Sequence, residues 1–124
     1  MTYQENYQKW VDFADLLDYL RQDLENMDEK TKEDAFYTNL EFGTAGMRGL
    51  IGAGTNRINI YVVRQATEGL ARLIESKGGN EKERGVAIAY DSRHFSPEFA
   101  FESAAVLAKH GIKSYVFDTV FSKN

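Results

Sequence analysis

No cysteine occurs among the 124 residues, which excludes disulfide frameworks, thiolate metal sites and a cysteine nucleophile, and fits a reducing compartment. No apolar run approaches the ~20 residues that span a bilayer. The N-terminal MTYQENYQKW lacks the basic and apolar regions of a secretory signal. A cytoplasmic protein with no membrane role is therefore expected. Basic residues are outnumbered, 15 against 19 acidic ones for a formal charge of −4, so the overall field does not attract nucleic acid or an acidic membrane. Any anion site must be local. The chain has no internal repeat, no low-complexity tract and no linker. Its one proline, Pro97, marks a helix start.

What remains is the composition of a globular chain, 43% apolar and 27% charged, long enough for one ordinary domain around a single core. From Tyr7 to Met27, apolar residues at Tyr7, Trp10, Val11, Ala14, Leu17, Leu20, Leu24 and Met27 follow the three-and-four spacing of one amphipathic helix. Asp12, Asp15, Asp18, Arg21, Gln22 and Glu25 form its solvated face. A membrane-surface helix would carry Lys and Arg there. Asp28 to Lys32 reads as a turn with Asp28 or Thr31 as a cap, leading to a short helix through Ala35, Phe36 and Leu40. Later, Ile60, Val63, Ala66, Thr67, Leu70, Ala71 and Ile74 line one side of a helix, capped by Asn59 and ended by Gly78-Gly79.

GVAIAYD, Gly85 to Asp91, is too short for a helix and rich in strand formers, and reads as a buried strand. Ser96-Pro97-Glu98 opens the next helix, with Ser as N-cap and Pro at the first position. That helix stops at His110-Gly111, and IKSYVFDT, Ile112 to Thr119, is a second strand of a parallel pair with a right-handed crossover. The order predicts an α/β fold: a three-layer α/β/α domain with a mixed, mostly parallel sheet, preceded by an N-terminal amphipathic helix. In such sheets ligands gather where strands end and helices begin. That rule directs attention to YDSRH, Tyr90 to His94, and to the glycine-rich segment.

LEFGTAGMRGLIGAGTNR, residues 40–57, holds five of the ten glycines, each costly in backbone entropy. A nucleotide P-loop fails, because no Gly precedes Lys in the required spacing. A dinucleotide fingerprint is at best damaged, since Gly52-Ala53-Gly54-Thr55-Asn56-Arg57 ends on Arg. Two readings stay open. In one, Gly43, Gly46 and Gly49 let backbone amides converge as an anion cradle beside the planar fork of Arg48. In the other, the glycines make a pair of tight turns.

FGTAGMRG, Phe42 to Gly49, followed by GAGTNRINIYVVRQATEGLA and then YDSRHFSPEFA, resembles the opening of the α-D-phosphohexomutases. The nearest branch is that of the phosphoglucomutases that include phosphopentomutases and carry an extra N-terminal helix. The match runs from about Leu40 to Asp118, and several motifs occur in the right order. The resemblance implies an intramolecular phosphotransferase: a phosphoserine gives its phosphoryl group to a phosphosugar substrate, and the bisphosphate formed returns the other phosphate to the serine. It implies Mg2+ and a sugar bisphosphate activator in the parent enzyme. It places Arg48 beside the reacting phosphate as the catalytic contact, with Thr44 and Gly46 shaping the approach, and Asp91 and Arg93 as supporting residues at the cleft edge or as a structural ion pair.

The sequence also departs from the family. No Ser-His-Asn occurs in it, so the serine loop is missing, and so is the Asp-x-Asp-x-Asp/Arg metal loop. No metal ligand is assigned in this chain. The expected organisation is an N-terminal helical extension over 1–39, a first domain over 40–119 truncated before the serine loop, and an atypical tail over 120–124. The chain alone is expected to be inactive, and to self-associate through surfaces that truncation exposes. The competing reading is a non-catalytic regulatory module that binds phosphate or a phosphosugar; a dinucleotide binder is a weaker third.

Of the remaining candidates, His94 is either a general base or a polar loop residue. His110 suits a helix C-terminus and is given no chemistry. Ser92, Ser96 and Ser122 lack a nucleophile context. Arg57 and Arg64 either extend a basic rim or serve the scaffold, and Trp10 with the other aromatics belongs to the core.

Overall fold

The structure is a computed structural model that describes residues 2–40, 42–43, 46–47, 49–91 and 97–119. Contacts divide the chain into two compact units, Met1–Val62 and Val63–Asn124.

The first unit begins with helix α1, Tyr3–Asp12. Thr2 and Glu5 form a reciprocal cap: the Glu5 amide donates to Thr2 Oγ1 at 3.2 Å and the Thr2 amide donates to Glu5 Oε1 at 3.3 Å, the pairing encoded by Thr-x-x-Glu. Helix α2, Asp18–Glu25, follows. The single helix expected over 7–27 is thus two. Tyr7 Oη donates to the Leu24 carbonyl at 3.2 Å, whereas 17 positions along one straight helix would separate their backbones by about 25 Å. The chain has to fold back so that both halves of the apolar stripe reach one core. Arg21 holds the break, its guanidinium donating to the carbonyls of Val11 (3.0 Å) and Phe13 (2.6 Å). These are acceptors that the end of a helix leaves open.

Helix α3, Glu29–Phe36, starts at Asp28, whose carboxylate accepts from the Thr31 amide at 2.8 Å. Leu16, Leu20, Leu24, Ala35, Phe36 and Ala53 form the core of this unit. Phe36 is fully buried and meets Tyr7 and Trp10 edge to face, at centroid distances of 5.6 and 5.7 Å, a favoured aromatic geometry. Two short strands, β1 (Phe42–Gly43) and β2 (Gly46–Met47), pair antiparallel.

Helix α4, Ile60–Lys77, begins in the first unit and supplies most of its length to the second. Gly78 and Gly79, both at φ +67°, end it as expected, in the left-handed conformation that glycine tolerates. A four-residue helix α5, Glu81–Arg84, follows; no periodicity in so short a segment announces it. Strand β3, Val86–Tyr90, lies parallel to β4, Ser114–Asp118, with Val86 opposite Ser114 and Tyr90 opposite Asp118. Between them runs α6, Pro97–Lys109, so the strand, helix, strand unit is as predicted. Ala71 of α4, Leu107 of α6 and Ile112 form a buried cluster, against which Ile74, Val86 and Ile88 pack.

The fold is α/β, with a small parallel sheet. Among the described residues the sheet appears as two separate pairs, one antiparallel and one parallel. The reading of β3 as a buried strand is corrected: both β3 and β4 alternate between half-buried and exposed positions, because the cluster from α4 and α6 covers one face only. Ala87, Ala89, Tyr115 and Phe117 point to the other face.

Candidate phosphate loop and sheet edge

The glycine-rich segment is built from its neighbours upward. Gly43 faces Gly46 across the β1–β2 pair, leaving two positions, Thr44 and Ala45, between the paired residues. Thr44 and Arg48 lie outside the described residues, as do Ser92, Arg93, His94 and Ser96. Of Gly46 the backbone pairing is what the structure gives.

From Gly49 onward the loop is described in full, and it is locked. The Ala53 amide donates to Asp23 Oδ2 at 2.7 Å. A Cβ on Gly52 would stand 2.9 Å from that same oxygen, so a side chain at 52 would contest the hydrogen bond. Gly54 has φ +132° and a Cβ there would lie 2.6 Å from the Ala35 carbonyl; glycine is required on both counts. The Ala35 carbonyl accepts from the Asn56 amide at 2.9 Å, and the Leu40 amide donates to the Thr55 carbonyl at 2.8 Å.

Asn59, predicted as a helix cap, does more. Its Oδ1 accepts from the Val62 amide at 3.0 Å, while its Nδ2 donates to the carbonyls of Gly52 (2.9 Å) and Gly54 (3.0 Å). One buried amide therefore joins the loop to the first turn of α4. Arg57 is also buried, with Nη2 2.7 Å from Asp34 Oδ2 and Nη1 donating to the carbonyls of Asn56 and Asp34. It serves the scaffold and is not a rim cation. Arg64, in the second unit, likewise pairs with Glu102 at 2.6 Å.

Gly52 and Gly54 are explained by close packing against α2 and α3. Packing bears on Gly49 too, since a Cβ there would lie 3.0 Å from Leu40 Cδ1; the anion-cradle reading falls on Gly43, Gly46 and Arg48, the last of which lies outside the described residues. Sequence reasoning missed Asp23 and Asp34 as anchors, since each lies more than twenty residues from its partner and carries no local signal.

The second candidate region is the C-terminal edge of the β3–β4 pair. Asp91 follows β3 directly and is half-buried. The Thr119 amide donates to the Tyr90 carbonyl at 2.8 Å and Thr119 Oγ1 donates to it at 3.2 Å, fixing the two strand ends together. Asp91 therefore sits where parallel sheets present ligand-contacting residues. The pairing expected between Asp91 and Arg93 falls on a residue outside those described.

With this geometry in place, the chain can be set beside known proteins. The family model for phosphoglucomutase/phosphomannomutase, alpha/beta/alpha domain I, matches residues 39–122. The chain belongs to the phosphoglucomutase/phosphomannomutase family. It is similar to a phosphoglucomutase of Staphylococcus epidermidis, 39% identical over 111 residues that cover 89% of this chain and 19% of that protein. A phosphoglucomutase of Staphylococcus aureus is 42% identical over 88 residues, 71% of this chain and 15% of that protein. One of Staphylococcus haemolyticus is 40% identical over 87 residues, 70% of this chain and 15% of that protein. The chain spans about a fifth of the length of the first of these relatives. No solved structure gives a significant match. Within the phosphoglucomutase/phosphomannomutase match fall both the locked glycine loop and the Asp91 edge.

Proposed function

We propose that this chain is the first domain of a cytoplasmic phosphoglucomutase that interconverts hexose 1-phosphate and hexose 6-phosphate through a phosphoserine and a bisphosphate intermediate. The observation that carries the reading is the match of residues 39–122 to domain I of the family. Its support in the geometry is a loop whose far half is anchored by Asp23, Ala35 and Asn59. In this reading Arg48 contacts the transferring phosphoryl group, Thr44 and Gly46 let the backbone approach it, and Asp91 with Arg93 supports the cleft edge. Phosphoryl transfer is governed by positioning and by stabilisation of spread negative charge, so a cation on a fixed loop is worth more than one on a mobile loop.

Magnesium, when bound in such enzymes, neutralises charge on the phosphoryl oxygens. The described residues offer no cluster of three His, Asp or Glu side chains that could hold a metal, and no residue of this chain is assigned to it. The sequence also contains no Ser-His-Asn, and the phosphoserine step is assigned to no serine here. We therefore infer that the 124-residue chain does not turn over by itself.

Two measurements test this. A coupled assay for glucose 1-phosphate to glucose 6-phosphate conversion on the chain alone should read background; turnover above it refutes the claim of inactivity. In a full-length enzyme carrying this domain, Arg48→Ala should lower kcat/KM by about 10²-fold or more, the scale for removing one donor to developing charge. A change under about threefold removes Arg48 from the site. Titration with glucose 1,6-bisphosphate separates the regulatory-module reading: micromolar binding by the chain alone, lost in Arg48→Ala, would favour it.

A further inference from the structure

His110 directly follows α6 and precedes Gly111, which has φ +70°, and its ring lies between two carboxylates of α4. Nε2 is 2.6 Å from Glu68 Oε2 and 2.8 Å from Glu68 Oε1, and Nδ1 is 2.8 Å from Glu75 Oε1. Glu68 and Glu75 are seven residues apart, two turns along one helix face. The ring therefore presents both nitrogens to acceptors that have no proton to give while ionised. A neutral imidazole carries one N–H and one lone pair. In either neutral tautomer, one lone pair would face a carboxylate oxygen at hydrogen-bond distance, a repulsive contact. Only the imidazolium satisfies both sides.

We propose that His110 is a protonated clasp, carrying both ring protons at neutral pH and joining the C-terminus of α6 to α4, and that loss of one of those protons releases this joint.

The surroundings fit a held cation. From α4, Glu68 and Glu75 face the ring, with Arg72 Nε 3.7 Å from the same Glu68 oxygen, Oε2, that the ring contacts. From α5, Lys82 reaches Glu75 at 3.3 Å. Lys109, the last residue of α6, directly precedes the histidine. The end of α6 adds its dipole, which favours a cation there. The hydrogen bond to Glu68 is the chief cause that raises the His110 pKa above its ordinary value of 6.5, partly opposed by desolvation and reinforced by the Glu75 hydrogen bond. Conversely, His110 holds Glu68 and Glu75 below the usual carboxylate range.

The sign follows from linkage. A histidine whose folded pKa lies above its unfolded one gives stability that is complete below about 6.5 and disappears as pH rises through the folded pKa. The two glutamates, with depressed folded pKa values, give stability present above their ordinary value of 4.5 and lost as pH falls through their folded values. The clasp is therefore closed between the lowered glutamate values and the raised histidine value, and opens on either side of that window.

Long-range nitrogen–proton NMR of the His110 ring in the 124-residue chain at neutral pH is the direct test. Both ring nitrogens should show the protonated chemical shift. A spectrum of one protonated and one bare nitrogen overturns the proposal. Urea midpoints measured between about pH 6 and about pH 9 should fall for the native chain and stay level for His110→Lys, which keeps a cation that does not titrate in that range. An equal fall in both chains would also overturn it. Glu68→Gln and Glu75→Gln should each move the His110 titration to lower pH, an effect that loss of packing alone would not produce.

Discussion

Asn59 is 1% exposed and uses both ends of its amide, one to cap α4 and the other to hold the carbonyls of Gly52 and Gly54. Asn59→Ala would remove a cap, worth about 1 kcal/mol, and strand buried carbonyls at about 1–3 kcal/mol. We expect a loss of about 2–4 kcal/mol, seen as a lower urea midpoint with an unchanged m value; a loss under about 0.5 kcal/mol would show that water replaces the amide at no cost. The capping half of this role was legible in the sequence, because an Asn stands directly before the first turn of a periodic apolar run. The loop-holding half was not, since the geometry that returns Gly52 and Gly54 to the same amide depends on Asp23 and Ala35, which are remote in sequence. The same holds for Arg57, whose burial and pairing with Asp34 no local pattern reveals.

The elements divide in a similar way. The α4, β3, α6 and β4 segments follow their sequence signals within a residue or two, because each has one clear period and the helices have clear boundaries: Gly78-Gly79 after α4, Pro97 at the start of α6 and Gly111 after it. The break between α1 and α2 leaves no mark in the sequence, because apolar spacing is continuous through it. Periodicity records which residues seek a core, and it is silent about whether the chain turns to bring them there. Arg21 is the physical device for that turn, and a charged residue on a solvated face looks the same in sequence whether or not it folds back on a carbonyl. Within α4, Gly69 has open space where a Cβ would stand and sits at an exposed position. Gly69→Ala should therefore stabilise the second unit by about 0.5–1 kcal/mol, raising the thermal midpoint of the chain. A lower midpoint would mean that the bare position contacts something in solution.

For the molecule as a whole, no helix among the described residues is long and apolar enough to cross a membrane. In the second unit the uncovered face of the parallel pair sets Ala87 beside Tyr115 and Ala89 beside Phe117, with Tyr115 50% and Phe117 43% exposed. Lys113 offers partial shielding, its ammonium 5.5 Å from the Tyr115 ring. Contiguous apolar surface of this kind promotes association, and we propose that the isolated chain self-associates through it. Light scattering should show an apparent mass that rises with concentration, and Tyr115→Thr with Phe117→Thr should reduce the rise. A monodisperse monomer at all concentrations would contradict the idea. The family-level identity was readable from the ordered motifs alone, whereas the half-covered sheet was not, because GVAIAYD has the same apolar composition whether one or both of its faces are packed.

The α2 and α3 helices lie upstream of residue 39, where the family match begins, yet they supply Asp23 to the Ala53 amide, Ala35 to the Asn56 amide and Asp34 to Arg57. Anyone trimming a gene to that homology border would discard the fasteners of the very turn they meant to keep. The shorter polypeptide would retain every residue of the motif and forfeit its shape, so swaps of this module between enzymes should carry the leading helices along.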